Sequence, residues 1–333
     1  MSLESTTVAC SLEEIRAKLS GTKLSASTMN FIVWIDDPAR RDWILERAGM
    51  VSEKLPSFTL VLDHSGALEG GAVVRTSTAD AEPKITVQGE RVDIDVANAD
   101  VSTIFDYVTE LCPRGAPTIL WWSGMREESR AIFETLQPLA GTLVFDSSGA
   151  NPDAGAIHRV ADFHAAHPTV ILRDLAWLRL RPWQDLIANF FDDPHLLDEL
   201  FSIQRLAIAS GSDAEALYLG GWLASRLGWT ATGRDAFRDG HGNTIGFERR
   251  REGEIRRVRS VCLDSATSWY HGEVAGDDQN VVRVWVEGEH AREARLFPLQ
   301  AIDNVSLLER AILERGADEV FATALRSAAT LLG

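Results

Sequence analysis

The chain has 333 residues, of which 45% are hydrophobic and 25% are charged, and its formal net charge is −16. This length exceeds that of one ordinary domain, and the apolar content is that of a folded chain, so we expect two domains with separate cores. The negative charge disfavours contact with nucleic-acid phosphates, and no nucleic-acid partner is predicted.

The sequence shows neither a membrane-spanning or signal-peptide pattern nor closely spaced cysteines. No run approaches the roughly 20 apolar residues that cross a bilayer, and the segment from Met1 to Glu4 lacks the basic and apolar regions of a signal peptide. The cysteines Cys10, Cys112 and Cys262 lie far apart and form no chelating or dithiol pair. We therefore expect a cytoplasmic protein without membrane contact.

The first half alternates strand and helix patterns. Ser11 and Glu14 form a capping box before a short helix. The apolar run 30–35 predicts a buried strand, and Asp36-Asp37-Pro38 begins a helix that ends before a second strand at 58–63. Further strands are predicted at 73–76, 91–96, 118–122 and 143–146, and further helices at 101–111, 129–136 and 157–166. We expect residues 1–168 to form an α/β domain with a mostly parallel sheet and flanking helices, closed by the helix at 157–166.

The pattern changes after about residue 150. Helices are predicted from Pro182 to Phe190 and from Asp213 to Leu227, where Gly228 is a stop signal. Between residues 244 and 298, strand patterns alternate with short turns, which predicts an antiparallel meander. Two helices, near 304–314 and 317–331, close the chain. Residues 169–333 are therefore predicted to form an α+β domain.

Sequence motifs for catalysis or cofactor binding are missing. A dinucleotide-binding fold places glycines in its first strand–helix turn, where this chain has Asp36-Asp37-Pro38, and two carboxylates repel phosphate. The three histidines between residues 158 and 167 do not share one helical face, and no HExxH motif is near them. There is no Gly-x-Ser-x-Gly elbow. We predict no catalytic residue, no cofactor and no metal.

Six arginines lie close together on what we expect to be one hairpin. Such a cluster is able to bind an acidic partner or a phosphate. A solvated hairpin with cross-strand ion pairs to Glu248, Glu252 and Glu254 is an equally good interpretation. The arginines are Arg249, Arg250, Arg251, Arg256, Arg257 and Arg259.

Tryptophan is more informative, because it is seldom fully buried and is enriched at protein interfaces. Trp121-Trp122 ends a strand, whose alternation is expected to send one ring into the core and the other away from it. The segment 173–183 interleaves arginine and tryptophan as binding hot spots do, although a seam between domains uses the same residue types. The predicted partner-binding residues are Trp121, Trp122, Arg173, Trp177, Arg179, Arg181 and Trp183.

Several segments match one known family in order and spacing. They are Asn30 to Trp34, Asp37 to Arg41, Trp43 to Arg47, Pro56-Ser57, Leu120 to Trp122, Asp174 to Arg179, Pro182 to Ile187 and Leu217 to Leu223. Through them the chain resembles the OpcA family, the glucose-6-phosphate dehydrogenase assembly proteins of actinobacteria and cyanobacteria. The resemblance implies a non-catalytic partner that binds glucose-6-phosphate dehydrogenase and promotes its active, assembled form in the oxidative pentose phosphate pathway.

Two departures and two alternatives accompany this resemblance. The family commonly has Pro-Ser-Arg-Thr where this chain has Phe58 at the third position. The thioredoxin link of photosynthetic members is not transferred to this chain, because the cysteines here are isolated.

One alternative function is a sugar-phosphate-binding enzyme or sensor with a cleft between the domains, in which Arg173, Arg179 or Arg181 binds the phosphate. The other, a nucleotide-dependent oxidoreductase, rests on the α/β pattern alone.

Overall fold

The computed structural model describes residues 2–9, 11–20, 27–67, 71–81, 85–124, 127–149, 153–233, 235–253, 257–276, 280–299 and 303–332. The chain folds into two compact units. The first holds residues 1–145, 169–173 and 304–315, and the second holds residues 146–168, 174–303 and 316–333. Residues 168 and 169 mark one of the places where the chain passes between the units. As a boundary between two domains, this position stays a prediction.

The elements of the described residues are numbered in chain order. Up to residue 145 they are β1 (Ser2–Ala9), α1 (Leu12–Ser20), β2 (Asn30–Ile35), α2 (Arg41–Lys54), β3 (Phe58–Asp63), β4 (Gly71–Ala81), β5 (Ile85–Asp95), α3 (Val101–Leu111), β6 (Thr118–Trp122), α4 (Arg130–Leu136) and β7 (Thr142–Phe145). Beyond it they are α5 (Asp153–Ala166), β8 (Ile171–Asp174), α6 (Leu175–Leu178), α7 (Arg181–Phe190), α8 (Leu197–Phe201), β9 (Arg205–Ser210), α9 (Asp213–Leu227), β10 (Thr230–Ala231), β11 (Ala236–Arg238), β12 (Thr244–Arg251), β13 (Val258–Asp264), β14 (Ser268–Val274), β15 (Val281–Gly288), β16 (Arg292–Pro298), α10 (Asn304–Leu313) and α11 (Glu319–Leu332).

The first sheet has, within the described residues, the strand order β1-β4-β5-β3-β2-β6-β7-β8. Its centre, from β5 to β7, is parallel, and β4 and β1 extend it in antiparallel pairing. Every residue of β2 and β3 is buried, as continuous apolar runs of a parallel sheet covered on both faces should be. The predicted α/β class with a mostly parallel sheet is confirmed.

The second sheet has the order β10-β11-β12-β9-β13-β14-β15-β16. From β13 to β16, consecutive strands pair antiparallel, so the predicted α+β class with an antiparallel meander is confirmed. The predicted hairpin across the arginine-rich segment is wrong, since β12 and β13 lie on opposite sides of β9. Helix α9 and the strands β10 and β11 connect β9 to β12, which pairs parallel with β9. Strand β13 then pairs antiparallel with the other edge of β9.

Helix α9 is the centre of the second unit. It begins at Ser212, whose hydroxyl accepts the backbone N–H of Glu215 at 3.3 Å, and ends at Gly228 in the left-handed conformation with φ 69°. A Cβ at Gly221 would lie 2.3 Å from the carbonyl oxygen of Ala324 in α11. The missing side chain therefore permits the close approach of these two helices.

Helix α5 packs against α9 and α11 in the second unit. Its neighbours are helices of the later part of the chain, and the expectation that it closes the first domain stays a prediction. Within the ranges given above, no helix is long and apolar enough to span a membrane.

Candidate functional site

The carboxyl ends of β2 and β6 mark the place where ligands bind in open α/β sheets, because the strand order reverses there. Asp36 follows β2, is 2% exposed and accepts a hydrogen bond from Ser129 Oγ at 2.8 Å. Gly124 packs on it so closely that a Cβ at this position would lie 2.0 Å from Asp36 Oδ2. A buried carboxylate thus occupies the position that a phosphate group would approach.

Neighbouring carboxylates at these strand ends also bind groups of the protein itself. Asp37 accepts the backbone N–H of Ala39 at 3.0 Å and caps the short helical turn that precedes α2. Asp63, at the end of β3, pairs with the Arg41 guanidinium at 2.6 Å. The strand ends are therefore acidic and internally bonded, in contrast to a glycine-rich phosphate loop.

Trp121 and Trp122 are both buried, with 2% and 8% exposed. Trp121 packs against Trp43 of α2, whereas Trp122 stacks on Trp34 at 5.2 Å and meets Phe133 of α4 edge-on. The expectation that one ring points away from the core is wrong. Both faces of this parallel sheet are covered by helices, so alternation sends each ring into a different buried layer.

Arg173 belongs to the first unit and is 3% exposed. Its Nη2 donates to the backbone carbonyl of Glu314 at 3.1 Å, just beyond the end of α10, and its Nη1 donates to the carbonyl of Leu172. A guanidinium at a helix C-terminus satisfies carbonyls that the helix leaves without a partner. Arg173 has a structural contact in this position.

A polar cluster, which we call the Arg179 cluster, lies in the second unit. Arg179 donates from Nε to Glu215 at 2.8 Å, and from Nη1 and Nη2 to the two oxygens of Asp146 at 3.1 and 2.8 Å. Nη2 also donates to Ser148 Oγ at 2.6 Å. The guanidinium is thereby held between two carboxylates, in the geometry that makes such hydrogen bonds strong.

Asp174 completes the Arg179 cluster, whose members are Asp146, Ser148, Asp174, Arg179, Glu215 and Tyr218. Asp174 accepts the Tyr218 hydroxyl at 2.7 Å and the backbone N–H of Ser147 and Ala176 at 3.1 and 2.9 Å. The second oxygen of Glu215 accepts the backbone N–H of Val258 at 3.1 Å. The cluster therefore connects the segment after β7, the start of α6, α9 and the start of β13.

The charges of this cluster do not balance, because one guanidinium is bonded to two carboxylates and Asp174 is a third acid close by. Burial and repulsion from Asp146 raise the pKa of Asp174 to about 6. Burial raises the pKa of Glu215 to about 7, although Arg179 opposes this shift. Burial opposes the charge of Arg179, but Asp146 and Glu215 raise its pKa above the ordinary value. We infer that the cluster keeps a proton on a carboxyl group near neutral pH.

A phosphate is poorly matched to these arginines. Four hydrogen bonds of Arg179 go to protein acceptors, and the adjacent carboxylates repel an anion. Arg173 is buried and binds backbone carbonyls. The sugar-phosphate alternative therefore gains no support from either residue.

The remaining predicted residues lie on α6 and α7. Trp177 donates from Nε1 to Asp318 at 3.0 Å, and its ring meets Phe321 at 5.6 Å. Trp183 is 4% exposed and packs over Gly272 of β14. Arg181 is the exposed member of the seven, all of which the structure describes. As partner contacts all seven stay predictions, and six of them lie in the interior, where a substitution acts first on folding.

Sequence reasoning did not find the acidic half of the Arg179 cluster. The run Ser212-x-x-Glu215 has the form of a capping box, and it was available as a signal. In the structure Glu215 turns its carboxylate towards Arg179 instead of the helix start. The sequence predicts Asp146 only as the end of a strand. A polar residue after a buried strand is common, and the sequence does not show which cation lies near it.

The arginine-rich segment forms ion pairs within the chain. Arg249 pairs with Asp235 at 3.2 Å, and Arg250 pairs with Glu248 at 2.7 Å. Arg251 lies 3.6 Å from Asp213 of α9. Glu254 and Arg256 lie outside the described residues. These ion pairs agree with the interpretation of the segment as solvated and internally paired. The strand beside β12 is β9, and not β13 as the expected hairpin would require.

The described cysteines, Cys112 and Cys262, are free thiols. Burial raises the pKa of each to about 12, so neither is a thiolate near neutral pH. Cys10 lies outside the described residues. In the same described part of the chain, no group of three or more His, Cys, Asp or Glu residues is arranged to hold a metal ion.

Solved structures with a similar fold include a 3-ketoreductase from Actinomadura kijaniata, KijD10, in complex with NADP and TDP-benzene. It is 12% identical, with a TM-score of 0.51 over 92% of this chain and 96% of the ketoreductase. At this identity the likeness shows the fold alone.

Sequence relatives include the OxPP cycle protein OpcA of Synechococcus elongatus, 33% identical over 142 residues, and that of Nostoc punctiforme, 32% identical over 142 residues. Each match covers 42% of this chain and about a third of the relative, 32% and 30% of its length respectively. Two family models match as well: the N-terminal domain of the glucose-6-phosphate dehydrogenase subunit over residues 48–162, and its C-terminal domain over residues 171–325. With both halves of the chain matched, this protein belongs to the OpcA family.

Proposed function

We propose that this chain is a non-catalytic, cytoplasmic protein that binds glucose-6-phosphate dehydrogenase and promotes its active assembled form in the oxidative pentose phosphate pathway. The observation that carries the proposal is the match of both halves to domains described as those of a glucose-6-phosphate dehydrogenase subunit. The curated relatives are named for the OxPP cycle, which supports the same pathway.

The likeness to a ketoreductase makes an enzymatic role the main competitor of this proposal. That ketoreductase was solved with NADP. Here, Asp36 accepts a hydrogen bond from Ser129 at the carboxyl ends of the parallel strands, and Gly124 packs against the same carboxylate. A buried carboxylate at these strand ends disfavours a dinucleotide, which supports a binding role over hydride transfer.

An activator must bind the active state of its partner more tightly than the inactive state. In the second unit the Arg179 cluster bonds both ends of the segment from Asp174 to Arg179, and Arg181, two residues further on, has an exposed side chain. We propose that Arg181 contacts the dehydrogenase. The buried arginine and tryptophans of this segment would hold the backbone beside Arg181 in position.

Size-exclusion chromatography with light scattering tests the proposal, using this protein, the glucose-6-phosphate dehydrogenase of its host, and their mixture at about 10 µM. We expect a co-eluting species with higher dehydrogenase activity than the enzyme alone. Separate elution together with unchanged activity would overturn the proposal.

The contact residue has its own test. Arg181→Glu is expected to weaken the association at least about tenfold, since reversing a charge at an interface creates repulsion. Arg226→Glu, at an exposed position of α9 in the same unit, is the matched control and is expected to bind like the unaltered protein. Equal affinities for both variants, measured by titration calorimetry, would remove Arg181 from the interface.

A further inference from the structure

One face of the second sheet carries mainly exposed or half-buried side chains in the part of the chain that the structure describes. On the opposite face, Gly272 of β14 packs under Trp183 and Leu186 of α7, and Phe247 of β12 packs under Gly220 of α9. Side chains alternate along strands, so the neighbours of these residues point to the other side. We call that side the open face.

The central row of the open face crosses five strands. It runs through Glu248, Ala207, Cys262, His271 and Trp285, which are cross-strand partners in β12, β9, β13, β14 and β15. His271 and Trp285 stack with ring centroids 4.6 Å apart and planes 8° apart. A recess of about 250 Å³ lies in this region, with His271 and Trp285 in its wall. Small residues and stacked aromatic rings thus form the middle of the face.

Exposed apolar side chains flank this row. Trp269 of β14 is 43% exposed, and Leu296 of β16 is 67% exposed and is the cross-strand partner of Arg283. The Arg283 guanidinium lies 4.7 Å from the centre of the Trp285 ring. Aromatic residues and arginine are enriched at protein interfaces, whereas a solvated sheet face carries mainly short polar side chains.

The charges of the open face nearly cancel. Its arginines pair with its acids, as in Arg283–Glu273 at 2.9 Å and Arg205–Asp264 at 2.6 Å. Across β12, β9, β13, β14 and β15 the face carries three positive residues against four negative ones, a local charge of −1 in a chain of −16. The residues counted are Arg205, Arg250, Arg283, Glu248, Asp264, Glu273 and Glu287.

This charge distribution indicates which partner fits. Two copies of a strongly acidic chain repel each other over most of their surfaces, and the repulsion is smallest where the local charge is near zero. In a two-fold contact the same patch meets itself, so positive and negative residues must be interspersed, as they are here.

The size of the open face is close to that of a standard interface between two proteins. Six strands from β12 to β16, including β9, with a spacing of about 4.8 Å and about seven residues of 3.4 Å each, span roughly 700 Å². A stable interface of standard size buries about 800 Å² per partner.

We propose that the open face is the contact between two copies of this chain in a two-fold dimer. This inference goes beyond the binding of glucose-6-phosphate dehydrogenase and does not depend on it. In the dimer, the stacked pair of His271 and Trp285 and the flanking Trp269 and Leu296 form the apolar centre, and the ion pairs form the rim.

Light scattering on the full chain alone, at about 50 µM, tests this dimer. The unaltered protein is expected at twice the chain mass of 36.6 kDa. Trp269→Glu and Leu296→Glu are each expected to give the mass of a single chain. The control is Phe105→Glu, which alters a similarly exposed aromatic residue, at 37%, in α3 of the first unit and is expected to leave the dimer intact.

Circular dichroism and thermal melts of each variant separate dissociation from unfolding. A single-chain mass for the unaltered protein would overturn the dimer. Trp269→Glu and Leu296→Glu variants that keep the double mass would show that the dimer contact lies elsewhere and would overturn the assignment of the open face. If the unaltered chain is a monomer and Trp269→Glu loses only the binding of glucose-6-phosphate dehydrogenase, the open face is the enzyme contact and the dimer is wrong, while the proposed function stands.

Discussion

Arg179 lies between Asp146 and Glu215 in the interior of the second unit, and its side chain is 10% exposed. Removing one partner of a buried ion pair leaves the others charged and without compensation. Arg179→Ala is therefore expected to lower the free energy of unfolding by about 3–5 kcal/mol. Urea denaturation measures this change. The exposed Arg181→Ala is the control and should stay within about 0.5 kcal/mol of the unaltered protein. Similar midpoints for both variants would contradict the structural role of Arg179.

Asp174 gives the protein a specific pH dependence. Its folded pKa is about 6 against an ordinary value of 3.8, so the folded state binds the proton more tightly than the unfolded state. The sign follows directly: the contribution is fully present below pH 4 and is lost as the pH rises through about 6, an effect of up to about 3 kcal/mol.

Asp174→Asn removes this titration and keeps the hydrogen bonds, because the Tyr218 hydroxyl can accept where it now donates. We expect the variant to lose less stability than the unaltered protein between pH 4 and pH 7, in urea titrations at each pH. Asp185→Asn, at an exposed position of α7, should follow the unaltered profile. A parallel profile for Asp174→Asn would show that this carboxyl does not bind the proton.

The sequence marks the segment 173–183 as either a binding surface or a buried seam, but it does not show which of these residues are buried. Arginine alternating with tryptophan is typical of both a binding surface and a buried seam, because both use large rings and bidentate hydrogen bonds. The distinction depends on what covers the residues. Glu215 and Asp146 cover Arg179 from distant parts of the chain, and a single sequence contains no signal for such contacts.

At the scale of elements, the contact of α9 with α11 depends on a missing side chain. Glycine in a helix normally costs about 1 kcal/mol relative to alanine, so Gly→Ala should stabilise. At Gly221 the expected sign is opposite, since the new Cβ would meet the Ala324 carbonyl oxygen at 2.3 Å. We expect Gly221→Ala to destabilise by about 1–3 kcal/mol, measured by thermal or urea unfolding.

Gly155 of α5 provides the matched control in the same unit. A Cβ there meets only the end of the Arg159 side chain, at 3.4 Å, so Gly155→Ala is expected to be neutral or stabilising. Stabilisation by Gly221→Ala would show that the two helices do not approach as closely as the structure has them.

Strands with continuous apolar runs, such as β2 and β3, were predicted because a parallel sheet covered on both faces requires them. Strands β1 and β9 were not predicted. β1 reads Ser-Leu-Glu-Ser-Thr-Thr-Val-Ala and lies at a sheet edge, where few apolar residues are needed. β9 is as long as β2 and β3 but is not buried at every residue, and its position between β12 and β13 depends on pairing across more than 35 residues of chain, to which local patterns are insensitive.

At the scale of the whole molecule, the acidic strand ends of the first sheet make a prediction about cofactors. We expect no binding of NADP or NADPH in titration calorimetry at cofactor concentrations up to about 1 mM, because the buried carboxylate of Asp36 at these strand ends would repel a phosphate. Binding with a dissociation constant below about 100 µM would contradict the proposed non-catalytic role.

The proposed partnership is tested most directly by a dehydrogenase activity titration. Purified chain is added in increasing amounts to a fixed concentration of the glucose-6-phosphate dehydrogenase of its host, and NADPH formation is followed. The chain alone is assayed as the control. We predict no activity of the chain alone, and a rate in the mixture that rises and saturates at a defined ratio of the two proteins. A rate that does not change at any ratio, or activity of the chain by itself, would contradict the account.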